Sequence, residues 1–326
     1  MNYHWRNLPM SKIQTKSTRV AFAEALSEVG RSNSKVVTIA ADSQSRYGEF
    51  VREFPERSFN VGIAEQTMIG VASGFALSGY IPVVTSYANF LAFRAIEQIR
   101  VDVATESLNV KMVGTDTGFS SQWLGFTHLA LEDMGAISSL PNIAIIDPAD
   151  AVETFEATKA IFDYDGPVYM RIRGRKAEPI LPIKDRKFEI GKAQILKPGK
   201  DVLIIACGSS VYDSLQAAEI LKDKNIDAMV VNMATIRPID EKTLLDLIPS
   251  FTKVMTVECH NIRGGLGSTI AEFISERGIN TQLLRMGVKE RFGMAGSDEM
   301  LKQAFSLDGP GIARSAEKFL NEKFGR

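Results

Sequence analysis

The feature that most constrains the fold is a series of short, almost wholly apolar runs that alternate with longer segments of helical periodicity. Runs of this kind fit strands buried on both faces, as in a parallel sheet covered by helices. In the first half of the chain they occupy residues 35–41, 81–87, 109–115, 142–147 and 167–172. Helices are predicted near 15–30, 65–78, 89–105, 128–138 and 149–162. The alternation predicts an α/β fold with right-handed crossovers.

The alternation stops at residues 174–201, which carry three prolines and many charges, and then resumes. Further strands are predicted at 201–208, 227–233, 253–259 and 281–287, with a helix over 264–278. A chain of 326 residues is long for a single hydrophobic core. We therefore predict two domains, each a mostly parallel sheet flanked by helices. They would span residues 1–180 and 201–326, joined by a linker over 181–200, and residues 174–201 have room for one hairpin.

Composition excludes several classes of protein. The formal net charge of -1 gives no electrostatic basis for binding nucleic acid or an anionic membrane. The two cysteines, Cys207 and Cys259, lie far apart without C-x-x-C spacing, which argues against a disulfide framework or a zinc site. No apolar run reaches transmembrane length, and the first residues lack the apolar centre of a signal peptide. We expect a cytoplasmic protein.

The stretch "FNVGIAEQTMIG", residues 59–70, places the carboxylate of Glu65 among small and apolar residues. One interpretation is an acid in the first turn of a helix, where the helix dipole favours negative charge. The other is a buried catalytic acid. Spacing alone favours the first interpretation.

Three aromatic residues, Tyr87, Phe90 and Phe93, recur at every third position where a strand gives way to a helix. Such a stripe usually packs in a core, but ligands bind at the carboxyl ends of strands in open α/β sheets, where aromatic rings could hold a flat heterocycle. His128 follows a glycine-rich polar loop and is either a capping residue or a group that polarises a carbonyl. Asp42, after the first strand, is either a turn residue or a site residue.

Arginines form a second set of candidates, because a guanidinium suits bidentate binding of phosphate or sulfonate. Arg19 lies in the first predicted helix, and three more follow in "YMRIRGR": Arg171, Arg173 and Arg175. Exposed arginines are often merely solvated, so these residues alone decide nothing. The sequence has no G-x-G-x-x-G after the first strand, no Walker loop and no G-x-S-x-G elbow.

Taken in order, the segments "GIAEQ", "TSYANFLAFRAIEQIR", "THLALED", "VECHNIRGGLGS" and "GVKERFG" resemble the C-terminal half of transketolase, from about residue 15 onward. The resemblance implies a pyrimidine-binding domain followed by the transketolase C-terminal domain. The preceding diphosphate- and metal-binding domain of the family carries a GDG motif that has no counterpart here, and residues 1–14 are too few to hold it. We therefore expect a partner subunit with that domain, and a two-fold heterotetramer.

The resemblance also implies a thiamine diphosphate site shared with the partner, which would hold most of the Mg²⁺ coordination; no metal ligand is expected in this chain. In the family, the glutamate of the "GIAEQ" motif meets N1′ of the aminopyrimidine, so that the 4′-amino group becomes a base. Glu65 takes that position, and Ile63 of the same motif is assigned to the cofactor pocket. The remaining cofactor residues implied by the resemblance are Tyr87, Phe90, Phe93 and Asp42.

For the substrate, His128 matches the histidine that contacts the sugar or the covalent intermediate. Arg19 matches an arginine that grips the terminal phosphate of the substrate. Arg175 matches a second arginine of this kind, but "RIRGR" contains one residue more than the family pattern, so Arg173 is the alternative.

Three positions depart from the family pattern. Leu124 stands where an aspartate reads a substrate hydroxyl, Asp116 stands where a histidine is frequent, and Arg46 stands where a phosphate-binding serine is common. The cofactor pocket is thus retained while the residues that read the sugar are changed. This suggests an atypical donor, such as apulose phosphate or sulfofructose.

The leading hypothesis is transfer of a two-carbon ketol unit from a ketose to an aldose phosphate. The enzymatic alternatives are a 1-deoxyxylulose 5-phosphate synthase-like enzyme and the β subunit of a 2-oxoacid dehydrogenase. A catalytically silent scaffold subunit is the non-enzymatic alternative. Product analysis separates them, because decarboxylation of pyruvate would favour the enzymatic alternatives and sugar interconversion would favour transketolase.

Overall fold

The computed structural model of the protein describes residues 14–183, 186–289 and 291–322. The strands of the first half are β1 (Thr15–Lys16), β2 (Val36–Ala40), β3 (Ser58–Asn60), β4 (Ile81–Tyr87), β5 (Lys111–Thr115), β6 (Ala144–Ile146), β7 (Val168–Arg171) and β8 (Glu178–Pro179). The helices of this half are α1 (Thr18–Ser32), α2 (Phe50–Glu53), α3 (Glu65–Leu77), α4 (Ala88–Arg94), α5 (Ile96–Gln98), α6 (Asp133–Ser138) and α7 (Ala151–Asp163).

The second half contributes strands β9 (Gln194–Lys197), β10 (Val202–Ala206), β11 (Ala228–Asn232), β12 (Thr235–Arg237), β13 (Lys253–Asn261) and β14 (Gln282–Val288). Its helices are α8 (Ser210–Lys222), α9 (Glu241–Leu247), α10 (Leu266–Glu276), α11 (Asp298–Ala304) and α12 (Gly309–Asn321). Shorter 3₁₀ turns occur at Gln44–Tyr47, Pro55–Arg57, Gln122–Leu124 and Ile248–Ser250, and a π-helix spans Ile99–Ala104.

Two large sheets, of seven and five strands, form the centre of the fold. The first has the order β12-β6-β7-β5-β4-β2-β3 and is parallel except for β12. The second has the order β14-β13-β10-β11-β9 and is parallel except for β9. The predicted class, two α/β domains with mostly parallel sheets flanked by helices, is confirmed. Strand β12 belongs to the second half of the chain yet pairs with β6, so the two halves share one edge of the first sheet.

The two halves also share a hydrophobic core. One continuous cluster of buried side chains includes Met68 and Ile145 from the first half and Leu203 and Leu266 from the second. Burial of apolar area is the main favourable term in folding, so this cluster fixes the two sheets against each other.

A buried ion-pair network lies beside this core. Arg171, at the end of β7, donates to Asp133 at 2.9 Å and to Asp147 at 2.8 Å, and all three side chains are almost fully buried. A buried guanidinium of this kind must keep its carboxylate partners, because an unpaired buried charge is costly.

Three local predictions are wrong in detail. Among the described residues of 174–201, the expected hairpin is not found, because β8 pairs with β1 and β9 pairs with β11. The helix predicted from residue 128 begins only at Asp133, since the backbone N–H of Gly118 donates to the carbonyl of Ala130 at 2.9 Å and holds that segment extended. The helix predicted over 89–105 is interrupted at Ala95 (φ -110°, ψ 13°) and continues as the π-helix.

Across the described residues, the helices are too short or too polar for any of them to cross a bilayer.

Candidate active site

The residues singled out in the sequence gather at one edge of the first sheet. Parallel strands present their carboxyl ends at the same edge, where ligands of open α/β sheets bind. Asp42 follows β2, Glu65 follows β3, Tyr87 ends β4, Asp116 follows β5 and Arg175 follows β7. Five strand ends therefore supply one surface.

Glu65 is both the first residue of α3 and a buried carboxylate. Only 4% of its side chain is exposed. The hydroxyl of Ser86 donates to Oε1 at 2.9 Å, and Nη1 of Arg94 lies 3.3 Å from Oε1 and 3.2 Å from Oε2. The Arg94 side chain is 46% exposed, so its long contact to Oε2 is the one that a bound group could replace most easily. Glu65 therefore combines the two features that the sequence left as alternatives: it lies in the first turn of a helix, and it is buried.

The rings of Tyr87 and Phe90 form an aromatic wall next to this carboxylate. The ring centroids of Tyr87 and Phe90 are 5.3 Å apart in an edge-to-face arrangement. The His128 ring meets both, at 5.1 Å from Tyr87 and 5.0 Å from Phe90. The guanidinium of Arg94 lies 3.8 Å from the Phe90 centroid, which links the wall to Glu65.

His128 is held by its neighbours in a half-buried position. Its Nδ1 lies 3.0 Å from the Thr127 hydroxyl, and the Asn89 amide donates to the Thr127 carbonyl at 2.5 Å. Burial, and then the positive charge of Arg94, lower the pKa of His128 below its ordinary value, against a smaller opposing effect of Asp116. The imidazole is therefore neutral at pH 7 and can accept or donate a hydrogen bond.

Three of the predicted cofactor residues face outward. Ile63 is 74% exposed, Phe93 is 51% exposed, and Asp42 is exposed with a positive φ of 75°. The structure thus brings Tyr87, Phe90 and His128 together beside Glu65, while Ile63, Phe93 and Asp42 form the rim of this edge.

A cavity of about 700 Å³ opens beside the wall and is lined by Arg19, Arg46 and Arg175. Arg19 donates to the Ser45 hydroxyl at 3.2 Å, and Nε of Arg46 donates to the Thr115 hydroxyl at 3.2 Å. Burial, followed by the charge of Arg46, lowers the pKa of Arg19 to about 10. The Arg46 guanidinium lies 4.7 Å from the Tyr87 centroid, which joins the cavity to the aromatic wall.

Arg173 and Arg175 differ sharply in their surroundings. Arg173 is buried, forms ion pairs with Glu178 and Asp298, and donates to the Ser209 hydroxyl at 3.2 Å. It therefore ties the end of β7 to the second half of the chain, whereas Arg175 is exposed and lines the cavity. Of the two, only Arg175 offers its guanidinium to a ligand in this cavity.

Asp116 is a buried residue with a positive φ of 60°, and its Oδ1 accepts from the Ser121 hydroxyl at 3.0 Å. A Cβ atom at position 174 would lie 2.6 Å from that oxygen, so the close approach requires Gly174. The charge of this carboxylate opposes the lowering of the pKa of Arg19 in the cavity and of the pKa of His128 beside the aromatic wall.

Sequence reasoning missed Arg94 and Ser86, which contact Glu65. The signal for Arg94 was present, because it follows Phe90 by four residues and such pairs lie on one helix face. Ser86 adjoins Tyr87 on β4 but carries no pattern of its own. In the parts of the chain that the structure describes, no group of three or more His, Cys, Asp or Glu side chains could hold a metal.

Comparison with known proteins agrees with this geometry. Residues 14–177 match the family "Transketolase, pyrimidine binding domain", and residues 191–312 match "Transketolase, C-terminal domain". The 6-deoxy-6-sulfo-D-fructose transketolase subunit SqwH of Clostridium sp. (strain MSTE9) is 36% identical over 314 residues, which are 96% of this chain and 97% of the relative.

One of the subunits of the apulose-4-phosphate transketolase of Actinobacillus succinogenes is 37% identical over 280 residues, which are 85% of this chain and 90% of the relative. A solved structure described as "Split gene transketolase, inactive beta4 tetramer" superposes with a TM-score of 0.85 and 37% identity, covering 95% of this chain and 100% of that one. The resemblance stated from the motifs is confirmed, and this chain belongs to the transketolase family.

Proposed function

We propose that the chain is one subunit of a thiamine diphosphate-dependent transketolase that moves a two-carbon ketol unit from an anionic ketose to an aldose phosphate. The observation that carries this proposal is the buried carboxylate of Glu65 beside an aromatic wall and an arginine-lined cavity. An acid, a flat apolar surface and an anion site are the three elements that this reaction needs from the subunit.

The residues present fit the aminopyrimidine ring of the cofactor. When bound, thiamine diphosphate supplies the carbon nucleophile and stabilises the carbanion. Glu65 would hydrogen-bond a ring nitrogen through Oε2, replacing the 3.2 Å contact of Arg94, while Ser86 continues to hold Oε1. Tyr87 and Phe90 would pack on the ring. Phe93, Ile63 and Asp42, at the rim, would extend the pocket toward the rest of the cofactor.

The second group of residues would handle the sugar. The neutral imidazole of His128 would hydrogen-bond a substrate hydroxyl or carbonyl beside the aromatic wall. Arg19 and Arg175 would hold the anionic end of the ketose in the cavity. Asp116 would orient a hydroxyl or a guanidinium.

A partner subunit would complete the site. Large apolar side chains are exposed at or near this edge: Ile63 (74%), Phe93 (51%), Trp123 (67%) and Phe126 (62%). Exposed apolar surface of this kind marks an interaction site. We propose that a diphosphate-binding transketolase subunit covers it and holds most of the Mg²⁺ coordination, in a cytoplasmic heterotetramer with two-fold symmetry.

The test is reconstitution. The chain is mixed with its diphosphate-binding partner, thiamine diphosphate and Mg²⁺, and is given ketose donors (xylulose 5-phosphate, apulose 4-phosphate and sulfofructose) with an aldose phosphate acceptor. We expect a ketose two carbons longer than the acceptor, together with a carbonyl product two carbons shorter than the donor. That second product is an aldose from xylulose 5-phosphate or sulfofructose and a ketone from the branched apulose 4-phosphate, and mass spectrometry identifies both. The chain alone and the partner alone are the controls and should give none.

Other results would point to other functions. Release of carbon dioxide from pyruvate would indicate a 1-deoxyxylulose 5-phosphate synthase-like or 2-oxoacid dehydrogenase-like activity. A stable complex without turnover, whose properties do not change in Glu65→Gln, would indicate a silent scaffold.

A further inference from the structure

A second cavity, of about 440 Å³, lies in the second half of the chain, and none of its lining residues belongs to the candidate active site. It lies at the carboxyl end of β14, the edge strand of the five-stranded sheet, and is bounded by the end of α11 and by α12. Ligands of open α/β sheets bind at the carboxyl ends of strands, and a cavity of this size can hold a small organic molecule.

The charged groups of this cavity are basic. Lys289 and Arg291, of the motif "GVKERFG", line it and are exposed, whereas no acidic residue of the described ranges lines it. Neither side chain forms an ion pair with a described carboxylate. Other basic residues of this half do have carboxylate partners: Arg277 with Glu241, Lys242 with Asp246, and Lys302 with Asp213. Two cations two positions apart, with no described acid beside them, favour an anionic ligand.

The guanidinium of Arg291 is exposed, but neighbouring groups define its position. Its Nη2 donates to the carbonyl of Ala304, at the end of α11, at 3.5 Å, and the guanidinium lies 4.3 Å from the centroid of the Phe305 ring. Phe305 in turn stacks on the fully buried Phe119, with ring centroids 5.4 Å apart and an interplanar angle of 19°. A guanidinium that is positioned in advance loses less conformational entropy when its remaining N–H groups bind an anion.

Two hydroxyls add further donors to this cavity. Ser315 lies inside α12, where a serine often donates to the carbonyl four residues back. Ser27, Ser73 and Ser214 do so in their own helices. In contrast, the hydroxyls of Ser315 and Ser306 both line the cavity and have no hydrogen bond to any residue that the structure describes. Two cations and two free hydroxyls match the double charge and the three acceptor oxygens of a phosphate monoester.

We propose that these two cations and two hydroxyls form a binding site for a small phosphate monoester. The side chains of Leu284 and Met286 line the same cavity and would contact the organic part of that molecule. The site uses none of the residues assigned to the cofactor or to the ketose, so the inference does not depend on the proposed function.

The experiment measures how far a ligand protects Lys289 from acetylation in the full chain. The protein is treated at pH 7.5 with the N-hydroxysuccinimide ester of acetic acid, and peptide mass spectrometry gives the rate at each lysine separately. The probe is methyl phosphate, and sodium chloride keeps the ionic strength constant. We expect a saturating concentration of the probe to slow the acetylation of Lys289 at least about fivefold. Lys242 and Lys318, whose side chains are 81% and 80% exposed outside the cavity, should react at unchanged rates.

Three variants locate the binding site. Arg291→Gln should raise the methyl phosphate concentration for half-maximal protection at least about tenfold, and Ser315→Ala at least about threefold. Arg277→Gln is the matched control, because Arg277 is also exposed and lies 5.7 Å from the centroid of Phe273, but pairs with Glu241 outside the cavity. It should leave the protection unchanged. Alanine is a strong helix former, so Ser315→Ala should retain α12, and far-UV circular dichroism checks the folding of each variant.

An acetylation rate of Lys289 that does not respond to methyl phosphate would overturn the inference, as would undiminished protection in Arg291→Gln. Equal protection of Lys242 would also overturn it, because it would show that the anion binds to exposed lysines in general. Malonate, a dianion whose two charges lie on separate carboxylates, tests the choice of ligand class. Protection of Lys289 by malonate at lower concentrations than by methyl phosphate would overturn the assignment to a phosphate monoester.

Discussion

His260 provides a direct test of how the two halves of the chain are joined. It lies in β13, is fully buried, and its Nε2 accepts from the backbone N–H of Gly135 in α6, at 3.3 Å. Its Nδ1 lies 2.7 Å from the carbonyl of Asn261 and must be the donor there. Both hydrogen bonds require the neutral ring, because a proton on Nε2 would face the N–H of Gly135.

The environment of His260 keeps its imidazole neutral. Burial, followed by the charge of Arg171, lowers the pKa of His260 to about 4, against an opposing effect of Asp133. Glu258, 3.7 Å from Nδ1, does not reverse this, since burial raises its own pKa to about 7 and it is largely neutral in acid. In the unfolded chain the imidazole titrates near 6.5.

Proton linkage gives the direction in which the free energy of unfolding changes with pH. Below pH 6.5 the unfolded chain binds a proton at this residue and the folded chain does not, until the pH approaches 4. The free energy of unfolding is therefore unaffected by this residue above pH 6.5, and it decreases as the pH falls from 6.5 to 4, because the unfolded chain gains the proton first. A difference of 2.5 pH units at 1.36 kcal/mol each corresponds to about 3 kcal/mol.

The substitution is His260→Gln, which keeps an amide donor and acceptor but does not titrate. Free energies of unfolding are measured for both proteins by urea denaturation, followed by far-UV circular dichroism, at intervals from pH 7.5 to 4. The unchanged protein should lose about 3 kcal/mol more than the variant over this range. Parallel pH profiles would show that His260 is not held neutral and would refute the reasoning.

Three further outcomes are expected. Arg171→Leu leaves Asp133 and Asp147 buried without their cation and should lower the free energy of unfolding by about 3–5 kcal/mol in urea denaturation; a change under 1 kcal/mol would contradict the network. Gly208→Ala strains a φ of 56° and places a Cβ 2.5 Å from Asp147 Oδ2, so Tm should fall by several degrees; an unchanged Tm would show that position 208 tolerates a side chain. Because the pKa of His128 is lowered, kcat/KM of the reconstituted enzyme should stay constant as the pH falls to 6.5 and decrease only below it, whereas a decrease with its midpoint above pH 6.5 would contradict the lowered pKa.

Much of the architecture could be predicted from the sequence because buried parallel strands are apolar on both faces. Strand β4 has the predicted bounds of 81–87, and α3 differs from its prediction by a single residue at its end. Strand β12 was not predicted, since three residues carry no periodicity and its partner, β6, lies far away in the chain. Strand β9 was not predicted for the same reason, because it is defined by its pairing with β11, which lies about thirty residues later in the chain.

The site could be predicted in part. The order of motifs identified Glu65, Tyr87, Phe90 and His128, and the pattern placed Tyr87 and Phe90 where a strand gives way to a helix. Glu65 reaches the same edge because it follows β3, a strand that was not predicted. The start of α6 could not be predicted from periodicity, because the bridge of Ala130 to Gly118 overrides the local helical pattern. The different environments of neighbouring arginines after β7 also depend on contacts with the second half of the chain, which local sequence does not encode.

The central claim is that the buried carboxylate of Glu65 acts on a cofactor whose diphosphate is held by another subunit. The most direct measurement compares ketol transfer by the reconstituted complex containing the unchanged chain with transfer by the complex containing Glu65→Gln, with complex formation checked by size-exclusion chromatography. The account predicts an intact complex whose transfer rate falls at least about 100-fold, as expected for loss of a positioned acid. An intact Glu65→Gln complex with the same rate as the unchanged one would contradict it.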